Sequence, residues 1–300
     1  MKEMKLAVII LLIVLVLLLG AGWFMAGYTV SIPRQTLEQA RQWQQEHYDI
    51  DWYDTLEKQD YTVSGFEGYE LHVQHLVNRS GSGKYVILSH GYTDNRYGSL
   101  KYAQIYLKQG YQVILYDLRG HGENEPTFCT YSVREGRDLD ALIRDTRTRY
   151  DDLTLLGIHG ESLGAATSVA CLQYHPEIDF VVADCGFASI ADVLKNGAKS
   201  AHVPGWIIDL AGLVAKLRFG YGYAEMCPVN ALAGNQIPIL FLHGEQDTFI
   251  LPEHSRRMEQ VTAGVHELHL IPGAGHAESV LTDPEGYEAY VTAFLEKVTG

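Results

Sequence analysis

The chain has 300 residues, of which 47% are hydrophobic and 20% are charged, as in an ordinary globular protein with a sizeable core. Its formal net charge of −14 repels phosphate backbones, so the composition excludes nucleic acid as a natural partner. The four cysteines show neither a C-x-x-C pair nor a metal-ligand spacing. No metal and no other cofactor is therefore expected.

The most apolar part of the chain is its N-terminus. Two lysines among the first five residues precede an unbroken apolar run from Leu6 to Leu19, and no charge follows before Arg34. About 20 apolar residues span the hydrocarbon core of a bilayer, so residues 1–30 are predicted to be an uncleaved transmembrane signal anchor. The alternative is a cleaved signal peptide, for which Gly20-Ala21-Gly22 is a poor cleavage site.

The charges that flank this apolar run indicate its orientation. Lys2, Lys5 and the amino terminus lie before it, whereas Arg34 and Arg41 lie after it. Positive charge favours the cytoplasmic side, and the small bias favours a cytoplasmic N-terminus with the large domain outside. A cleaved signal peptide would also export the domain.

The remaining residues predict a linker followed by an alternation of strands and helices. Residues 31–60 are polar and helix-permissive, and are predicted to form a stalk or linker helix before a catalytic domain at residues 61–300. The predicted strands are Tyr61–Phe66, Tyr69–Val77, Lys84–Ser89, Tyr111–Tyr116, Leu153–Ile158, Ile178–Ala183, Pro238–Leu242 and His266–Ile271. The predicted helices are Gly98–Gln109, Val133–Tyr150, Ser162–Tyr174, one that begins at Pro252 and one near Asp283–Val298.

This alternation predicts the fold class. Strands that are apolar on both faces and alternate with helices are typical of a mostly parallel sheet in an α/β protein. The first two strands flank Glu67-Gly68 and are predicted to form an antiparallel hairpin at one edge. Ligands of such sheets bind at the carboxyl ends of the strands, so the functional residues are expected there.

One pentapeptide has the pattern of a catalytic nucleophile. Gly160-Glu161-Ser162-Leu163-Gly164 follows the predicted strand Leu153–Ile158 and opens the predicted helix Ser162–Tyr174. This is G-x-S-x-G in the strand–turn–helix context of a nucleophile elbow. A Cβ at either glycine would collide with neighbouring backbone in so tight a turn. Ser162 is therefore the predicted nucleophile.

Two later loops contain the predicted acid and base. A serine hydroxyl needs a base within hydrogen-bond reach, and the elbow fold orders its residues Ser, Asp or Glu, then His. Asp247, in the segment HGEQD, follows the strand Pro238–Leu242, and His276, in PGAGH, follows the strand His266–Ile271. His276 is the predicted base and Asp247 the predicted acid. Asp184, directly after another strand, is the rival acid.

An oxyanion hole is expected beside the nucleophile, because the tetrahedral intermediate of acyl transfer needs hydrogen-bond donors. One predicted donor is the backbone N–H of Leu163, directly after the nucleophile. The other is the backbone N–H of Tyr92, in the segment His90-Gly91-Tyr92 after the strand Lys84–Ser89. The alternative for that segment is an ordinary turn.

Five segments, in this order, resemble the bacterial α/β-hydrolase superfamily, and most of all its membrane-anchored or exported esterase-like members near the prolyl oligopeptidase group. They are His90–Asp94, Tyr116–Gly122, Gly160–Gly164, His243–Asp247 and Gly273–His276. The resemblance runs from about Tyr61 to the C-terminus and implies the α/β-hydrolase fold with a Ser-His-Asp triad. It implies a structural role for the DLRGHG loop, and none in catalysis for Arg119 or His121. The chain lacks the propeller of true prolyl oligopeptidases, which weakens a peptidase assignment.

A long insertion, at about residues 186–236, precedes the strand Pro238–Leu242 and is predicted to form a small helical cap over the active site. Apolar residues at helical spacing predict an amphipathic helix within it, and they are Trp206, Leu210, Leu213, Val214 and Leu217. Such a cap would suit a substrate with a hydrophobic acyl or alkyl group. The alternative is that its apolar face packs on the main domain.

The cysteines are expected to be structural. Cys171 and Cys185 fall in a predicted helix and at a predicted strand end, where a thiol usually behaves as a small hydrophobe. A disulfide between Cys129 and Cys227 is conceivable, but nothing in the sequence supports it.

Together these features predict a serine hydrolase of the carboxylesterase type, which acts through an acyl-enzyme on a small-molecule substrate. A serine peptidase or amidase that acts on short peptides is the first alternative. A non-catalytic membrane-anchored binding protein is the second, and an intact triad with two oxyanion loops disfavours it.

Overall fold

A computed structural model describes residues 1–81 and 83–299, and the chain divides into two compact units. The large unit comprises Ile32–Ala188 and Cys227–Gly300. The small unit comprises Met1–Ser31 and Ser189–Met226. The small unit therefore joins the N-terminal segment to most of the segment predicted as a cap.

The large unit is built on an eight-stranded sheet in the order β1-β2-β4-β3-β5-β6-β7-β8. Its strands are β1 (Glu57–Ser64), β2 (Glu70–Val77), β3 (Lys84–Ser89), β4 (Gln112–Tyr116), β5 (Leu155–Glu161), β6 (Phe180–Asp184), β7 (Ile239–Gly244) and β8 (His266–Ile271). β1 pairs antiparallel with β2, and β2 antiparallel with β4. The strands from β3 to β8 are parallel.

The helices, in chain order, are α1 (Lys2–Val30), α2 (Leu37–His47), α3 (Trp52–Thr55), α4 (Leu100–Lys108), α5 (Val133–Arg149), α6 (Leu163–Cys171), α7 (Ile190–Ser200), α8 (Gly205–Phe219), α9 (Glu253–Val261), α10 (Ser279–Thr282) and α11 (Pro284–Thr299). The helices α1, α7 and α8 belong to the small unit, and the others belong to the large unit. The mostly parallel sheet with an antiparallel hairpin at one edge confirms the predicted α/β class.

The core of the large unit follows from alternation along the strands, since successive side chains point to opposite faces. Val86 and Leu88 of β3 join a cluster with α4 and α11 residues such as Tyr106 and Phe294. Ile87, which lies between them, is equally buried. Both faces of the sheet are therefore covered, which explains why its strands are continuous apolar runs.

The segment predicted as a stalk is folded onto the large unit. Thr36 and Gln39 form a reciprocal capping box that begins α2. Gln44 is fully buried, and its Nε2 donates to the carbonyl of Gly98 at 3.3 Å. The first strand begins at Glu57, four residues before the predicted start of the sheet at Tyr61.

In the small unit, α1 is long and almost entirely exposed. It has 29 residues, and its most apolar stretch of 18 residues has a mean hydropathy of 3.0 and is 6% buried. By length and composition α1 can cross a membrane, and a signal sequence near the N-terminus would have the same two properties. Its buried residues lie near its C-terminal end and are Gly22, Ala26, Thr29 and Val30.

The predicted cap helix forms as α8, but the apolar residues that predicted it do not share one buried face. Trp206, Leu213 and Leu217 are exposed, whereas Val214 is buried. The buried residues of the helix are Ile208, Ala211, Gly212, Val214 and Ala215. The helix is apolar on both sides, so helical spacing alone cannot identify its buried face, and the small residues allow the closer packing. The helix α7 precedes it without having been predicted.

The four cysteines are thiols, and two of them are fully buried as predicted. Cys171 and Cys185 are fully buried, as expected. Neither Cys129 nor Cys227 is part of a disulfide, so the conceivable bond between them is not formed. The Cys227 thiol lies instead within hydrogen-bond reach of the Ala188 carbonyl, at 3.5 Å.

Candidate active site

Ser162 occupies the turn between β5, which ends at Glu161, and α6, which begins at Leu163. Its backbone angles are φ 53° and ψ −111°, a region that residues with a Cβ rarely adopt. Strain of this kind costs about 1–3 kcal/mol and persists only where the surrounding structure imposes it. The turn projects the Ser162 side chain from the carboxyl end of the central strand.

Two glycines make this turn sterically feasible. A Cβ on Gly164 would collide with the carbonyl oxygen of Ser89, at the end of β3. A Cβ on Gly160 would collide with the carbonyl oxygen of Gly164. The collisions follow from the close packing of α6 on the sheet, so the glycines of the pentapeptide have the steric role that the sequence predicted.

The structure brings Ser162, His276 and Asp247 together in one hydrogen-bonded line. Ser162 Oγ lies 3.0 Å from His276 Nε2. His276 Nδ1 lies 2.6 Å from Asp247 Oδ2. The serine and the histidine are 114 residues apart in the chain, and the histidine and the aspartate are 29 apart. Three loops at the carboxyl ends of three parallel strands therefore meet at one point.

Backbone hydrogen bonds hold the Asp247 loop against the His276 loop. Glu245 N–H donates to the carbonyl of Ile271 at 2.9 Å, and Gln246 N–H donates to the carbonyl of Ala274 at 2.9 Å. Because β7 and β8 are parallel neighbours, both loops leave the same edge of the sheet. The separation of the two side chains is thus fixed by backbone rather than by flexible side chains.

Asp247 is buried yet held in its ionised form. Its Oδ1 accepts from the N–H groups of Phe249 and Ile250, each at 2.9 Å. Its Oδ2 accepts from His276 and lies 3.2 Å from His243 Nε2. Burial would raise the pKa of Asp247, but the hydrogen bonds from His243 and His276 outweigh it and lower the pKa below its usual range.

His243 is a residue that sequence reasoning missed, although it stands in the quoted segment HGEQD. Its side chain is completely buried, with Nε2 2.8 Å from the Ile250 carbonyl and Nδ1 2.7 Å from Ser255 Oγ. Nε2 faces the Ile250 carbonyl and the Asp247 carboxylate, which are both acceptors, so Nε2 carries a proton and donates to them. His243 thereby helps to hold the Asp247 carboxylate in place.

The loop with the second predicted oxyanion donor lies next to the nucleophile. A Cβ on Gly91 would lie 3.8 Å from the Cβ of Ser162. The Tyr92 N–H, one residue further, is therefore in the same neighbourhood. The Leu163 N–H belongs to the first turn of α6, where N–H groups have no acceptor within their own helix.

Two buried histidines attach this loop to the DLRGHG segment. His90 Nδ1 donates to the Gly91 carbonyl at 2.7 Å, and His90 Nε2 accepts from the Leu118 N–H at 2.9 Å. His121 Nε2 donates to the Tyr92 carbonyl at 2.6 Å. His121 Nδ1 also faces a carbonyl, that of Arg119, at 2.9 Å. Burial lowers the pKa of both imidazoles. His121 therefore orients the peptide of Tyr92, the structural role that the resemblance implies for this segment.

Arg119 lies in the same segment and points away from the nucleophile. Its Nε donates to Asp138 Oδ2 at 2.8 Å and its Nη2 to Asp138 Oδ1 at 2.7 Å. The pair is 1% exposed on both sides. A buried bidentate pair of this kind fixes the loop to α5, where Asp138 lies.

A buried charged cluster lies behind the elbow, and sequence reasoning did not identify it. The ammonium of Lys101, on α4, forms an ion pair with Glu161 and donates to the Ala277 carbonyl at 3.4 Å. The Tyr102 hydroxyl lies 2.5 Å from Glu161 Oε2 and 3.0 Å from Asp184 Oδ2. Lys101 therefore connects the residue before Ser162 to the residue after His276. A single lysine in a helical segment is usually solvated, so no pattern marked it.

Asp184, the rival acid, belongs to this cluster rather than to the line of Ser162. The Tyr287 hydroxyl donates to it at 3.1 Å and the Ser279 hydroxyl at 3.4 Å. Burial, reinforced by the charge of Glu161, raises its pKa to about 6. Its hydrogen-bond partners in residues 1–81 and 83–299 are hydroxyls and not an imidazole, so the structure favours Asp247 as the partner of His276.

No group of three or more His, Cys, Asp or Glu side chains suited to a metal ion occurs among the residues that the structure describes. The chemistry that the site offers is that of a serine hydroxyl, an imidazole and a carboxylate.

The fold and this site define a hydrolase class. The model of the alpha/beta hydrolase family matches residues 86–290, and the chain belongs to that family. The uncharacterized protein YqkD of Bacillus subtilis is similar, with 28% identity over 256 residues, 84% of either chain.

Two solved structures show the same architecture. The esterase Pf2001 of Pyrococcus furiosus has 25% identity and a TM-score of 0.67, over 82% of this chain and 94% of its own. The esterase EaEST of Exiguobacterium antarcticum has 17% identity and a TM-score of 0.59, over 79% of this chain and 100% of its own. The matches confirm the predicted fold and superfamily.

Proposed function

We propose that the protein is a serine hydrolase that cleaves carboxylic esters through an acyl-enzyme intermediate. The observation that carries the proposal is the continuous line from Ser162 Oγ through His276 to Asp247, with distances of 3.0 and 2.6 Å. These distances lie within the range that proton transfer between catalytic groups requires.

Each residue has one role in the proposed mechanism. His276 Nε2 takes the proton of Ser162 as Oγ attacks the ester carbonyl, and it then donates that proton to the leaving alcohol. Asp247 holds the His276 ring in one tautomer and stabilises the imidazolium that forms. The N–H groups of Leu163 and Tyr92 stabilise the oxyanion. Water activated by His276 then hydrolyses the acyl-enzyme.

Esters are the proposed substrates for two reasons. Pf2001 and EaEST, which share the architecture, are esterases. In addition, the ring of Phe249 lies edge-on to His276 with centroids 5.1 Å apart, and it is 61% exposed. An exposed phenyl ring beside the base supports a small-molecule substrate with a hydrophobic acyl or alkyl group.

The test is Ser162→Ala, assayed with p-nitrophenyl esters of graded acyl length and with a fluorophosphonate probe. Turnover and labelling are expected to disappear while circular dichroism stays unchanged. Ser168→Ala is the matched control, because Ser168 lies buried on the same helix and its hydroxyl donates to the Gly164 carbonyl at 2.8 Å. The control should be labelled normally. Labelling of the Ser162→Ala variant at the wild-type rate would refute the proposal.

A matched amide separates ester from peptide hydrolysis. A p-nitroanilide of the same acid as the preferred p-nitrophenyl ester is expected to react far more slowly. A faster amide reaction would turn the assignment to an amidase with the same triad.

We also propose that α1 anchors the protein in a membrane, with the hydrolase outside the cytoplasm. The length, the hydropathy and the exposure of α1 support the anchoring. The positive charges of Lys2, Lys5 and the amino terminus at the start of α1 support a hydrolase outside the cytoplasm. Intact-mass measurement of the membrane fraction after alkaline extraction tests it. The full-length mass is expected there, whereas a shortened soluble product would indicate a cleaved signal peptide.

A further inference from the structure

The exposed side of α8 carries an apolar stripe. Trp206 is 53% exposed, Leu213 60% and Leu217 79%. At about 100° per residue these three positions lie within about 40° of one another around the helix. Large apolar side chains are thus aligned along the face where a surface helix normally presents polar ones.

The opposite side of α8 is apolar as well, since it is formed by Ile208, Ala211, Gly212, Val214 and Ala215, all of them buried. A surface helix normally presents polar residues on the side opposite its buried face, so a second apolar side, with the charged residues outside it, is unusual for a helix exposed to water. With its outer stripe exposed, α8 is not in the core.

α8 packs along the C-terminal part of α1, within the small unit. A Cβ on Gly22 would lie 3.1 Å from a methyl group of Val214 and 3.2 Å from Leu210. Further along, the Arg218 guanidinium lies 4.4 Å from the centre of the Trp23 ring. The exposed stripe of α8 is therefore continuous with the exposed apolar surface of α1.

We propose that α8 is a membrane-interface helix whose Trp206–Leu213–Leu217 stripe contacts the lipid of the bilayer that α1 crosses. The proposal rests on the proposed anchoring of α1 and not on the ester chemistry. The length of α8, 15 residues or about 22 Å, is too short to span a core of about 30 Å, so α8 does not cross the bilayer but lies beside the C-terminal end of α1, at the membrane interface.

The charged residues beside the stripe fit a helix at the membrane interface. Lys216 and Arg218 occupy the last turn of α8; Lys216 is paired with Glu225 at 2.5 Å and Arg218 lies over the Trp23 ring, so neither cation is left unpartnered beside the apolar stripe. Asp209, on the flank of the stripe, is paired with Lys195 at 2.6 Å. Tryptophan is also a residue that membrane interfaces favour, and Trp206 supplies one at the start of the helix.

The four tryptophans of the chain allow a direct test. The full-length protein and the variants Trp23→Phe, Trp43→Phe and Trp206→Phe are reconstituted in vesicles of phosphatidylcholine and phosphatidylglycerol. Ordinary phosphatidylcholine is then replaced by phosphatidylcholine with brominated acyl chains, which quenches tryptophans in contact with lipid. The difference between wild type and each variant isolates one tryptophan: Trp23 reports on α1, Trp206 on α8 and Trp43 on α2.

The expected result is at least a twofold loss of the Trp206 and Trp23 emission and no loss of the Trp43 emission. Loss for Trp23 alone would overturn the proposal and leave the anchor intact. Loss for neither would overturn both, and equal loss for all three would indicate adsorption of the whole chain and also overturn it. Ester turnover, measured on the same samples, keeps these outcomes separate from the proposed function.

A second variant tests the stripe without removing a fluorophore. Leu217→Glu is expected to reduce the quenching of Trp206 at least twofold and to leave that of Trp23 unchanged. Val265→Glu is its control, because Val265 is an exposed apolar residue of the large unit, 49% exposed. Equal quenching of Trp206 in both variants would contradict lipid contact by α8.

Discussion

Asp184 ends β6 and Asp247 follows its parallel neighbour β7, and both carboxylates are almost completely buried. Their surroundings differ in the donors they supply. Asp247 receives two backbone N–H groups and the imidazoles of His243 and His276, and its pKa is lowered. Asp184 faces Glu161, accepts from hydroxyls in the described part of the chain, and has its pKa raised to about 6.

Burial of a carboxylate therefore does not by itself determine its charge state. Burial alone disfavours the ionised form of any carboxylate, so the ionisation of a buried Asp is decided by the donors that the backbone and its neighbours direct at it. Asp247 has enough donors to remain a permanent anion that can stabilise an imidazolium. Asp184 shares a confined site with a second carboxylate and is better suited to hold the sheet and α4 together.

Replacing each aspartate by asparagine is the sharpest way to break this comparison. Asp247→Asn is expected to lower kcat for p-nitrophenyl ester hydrolysis about 10⁴-fold, because the amide favours the wrong tautomer of His276. Asp184→Asn is expected to retain at least about a tenth of the activity, because Asp184 has no bond to the imidazole. Steady-state kinetics of both folded variants measures the contrast. Equal losses would assign Asp184 a catalytic role.

The buried cation of the Asp184 cluster gives the next largest effect. Lys101→Met leaves Glu161 and Asp184 without their counter-ion, and breaking a buried pair in this way costs about 3–5 kcal/mol of stability. Its control is Lys108→Met on the same helix, where the pair with Glu288 is exposed and worth about 0–1 kcal/mol. Urea denaturation measures both. A loss for Lys101→Met no larger than that for Lys108→Met would show that the cluster is not stabilised by this charge.

The raised pKa of Asp184 predicts a pH dependence of stability. Its ordinary pKa is 3.8 and its folded-state pKa is about 6, so the folded chain binds the proton more tightly than the unfolded chain. This contribution to stability is complete below about pH 4 and is lost as the pH rises through 6. Asp184→Asn keeps the site neutral throughout. From pH 4 to 7 the variant should therefore gain about 2 kcal/mol relative to wild type in urea denaturation.

A parallel pH dependence of the two proteins would contradict that assignment. Comparing the variant with wild type matters because burial also raises the pKa of Asp94 and Asp138 to about 6. These two carboxyls are present in both proteins, and their contributions cancel in the difference.

The smallest effect concerns the residue beneath Asp247. His243→Gln removes the buried imidazole that lies 3.2 Å from Asp247 Oδ2, and one hydrogen bond to a charged group is worth about 1.5–3 kcal/mol. We expect kcat/KM to fall about tenfold. His75→Gln is the matched control, since His75 is buried on β2 and bonds Gln112 at 2.9 Å. A positioning role further requires a shift in the acid limb of the pH–rate profile, which a loss of stability alone would not produce.

Much of the fold and the line of Ser162 could be predicted because their causes are local. The run Lys84–Ser89 is a strand in the structure with the predicted bounds, as is His266–Ile271. The glycines around Ser162 are required by a turn of five residues, and the loops of Asp247 and His276 follow their strands directly. The two loops lie at the same edge of the sheet because their strands are parallel, and the alternation of strands and helices already implies parallel strands.

The supporting residues depend on contacts between distant segments. Lys101 meets Glu161 and His243 meets Asp247 only after the strands have paired, and nothing in the local sequence distinguishes either residue from its unpaired counterparts. The orientation of α8 is similar, because a helix that is apolar on two opposite sides has no preferred inner face until α1 packs against it.

The sequence by itself determined the α/β class, the order of the strands in the chain and the three side chains that converge, since these follow from apolar periodicity and from steric needs within a few residues. The tertiary structure alone decided which buried carboxylate is ionised, which lysine neutralises the other and which side of α8 remains exposed. The physical reason is that charge state and exposure are set by neighbours that are distant in the chain.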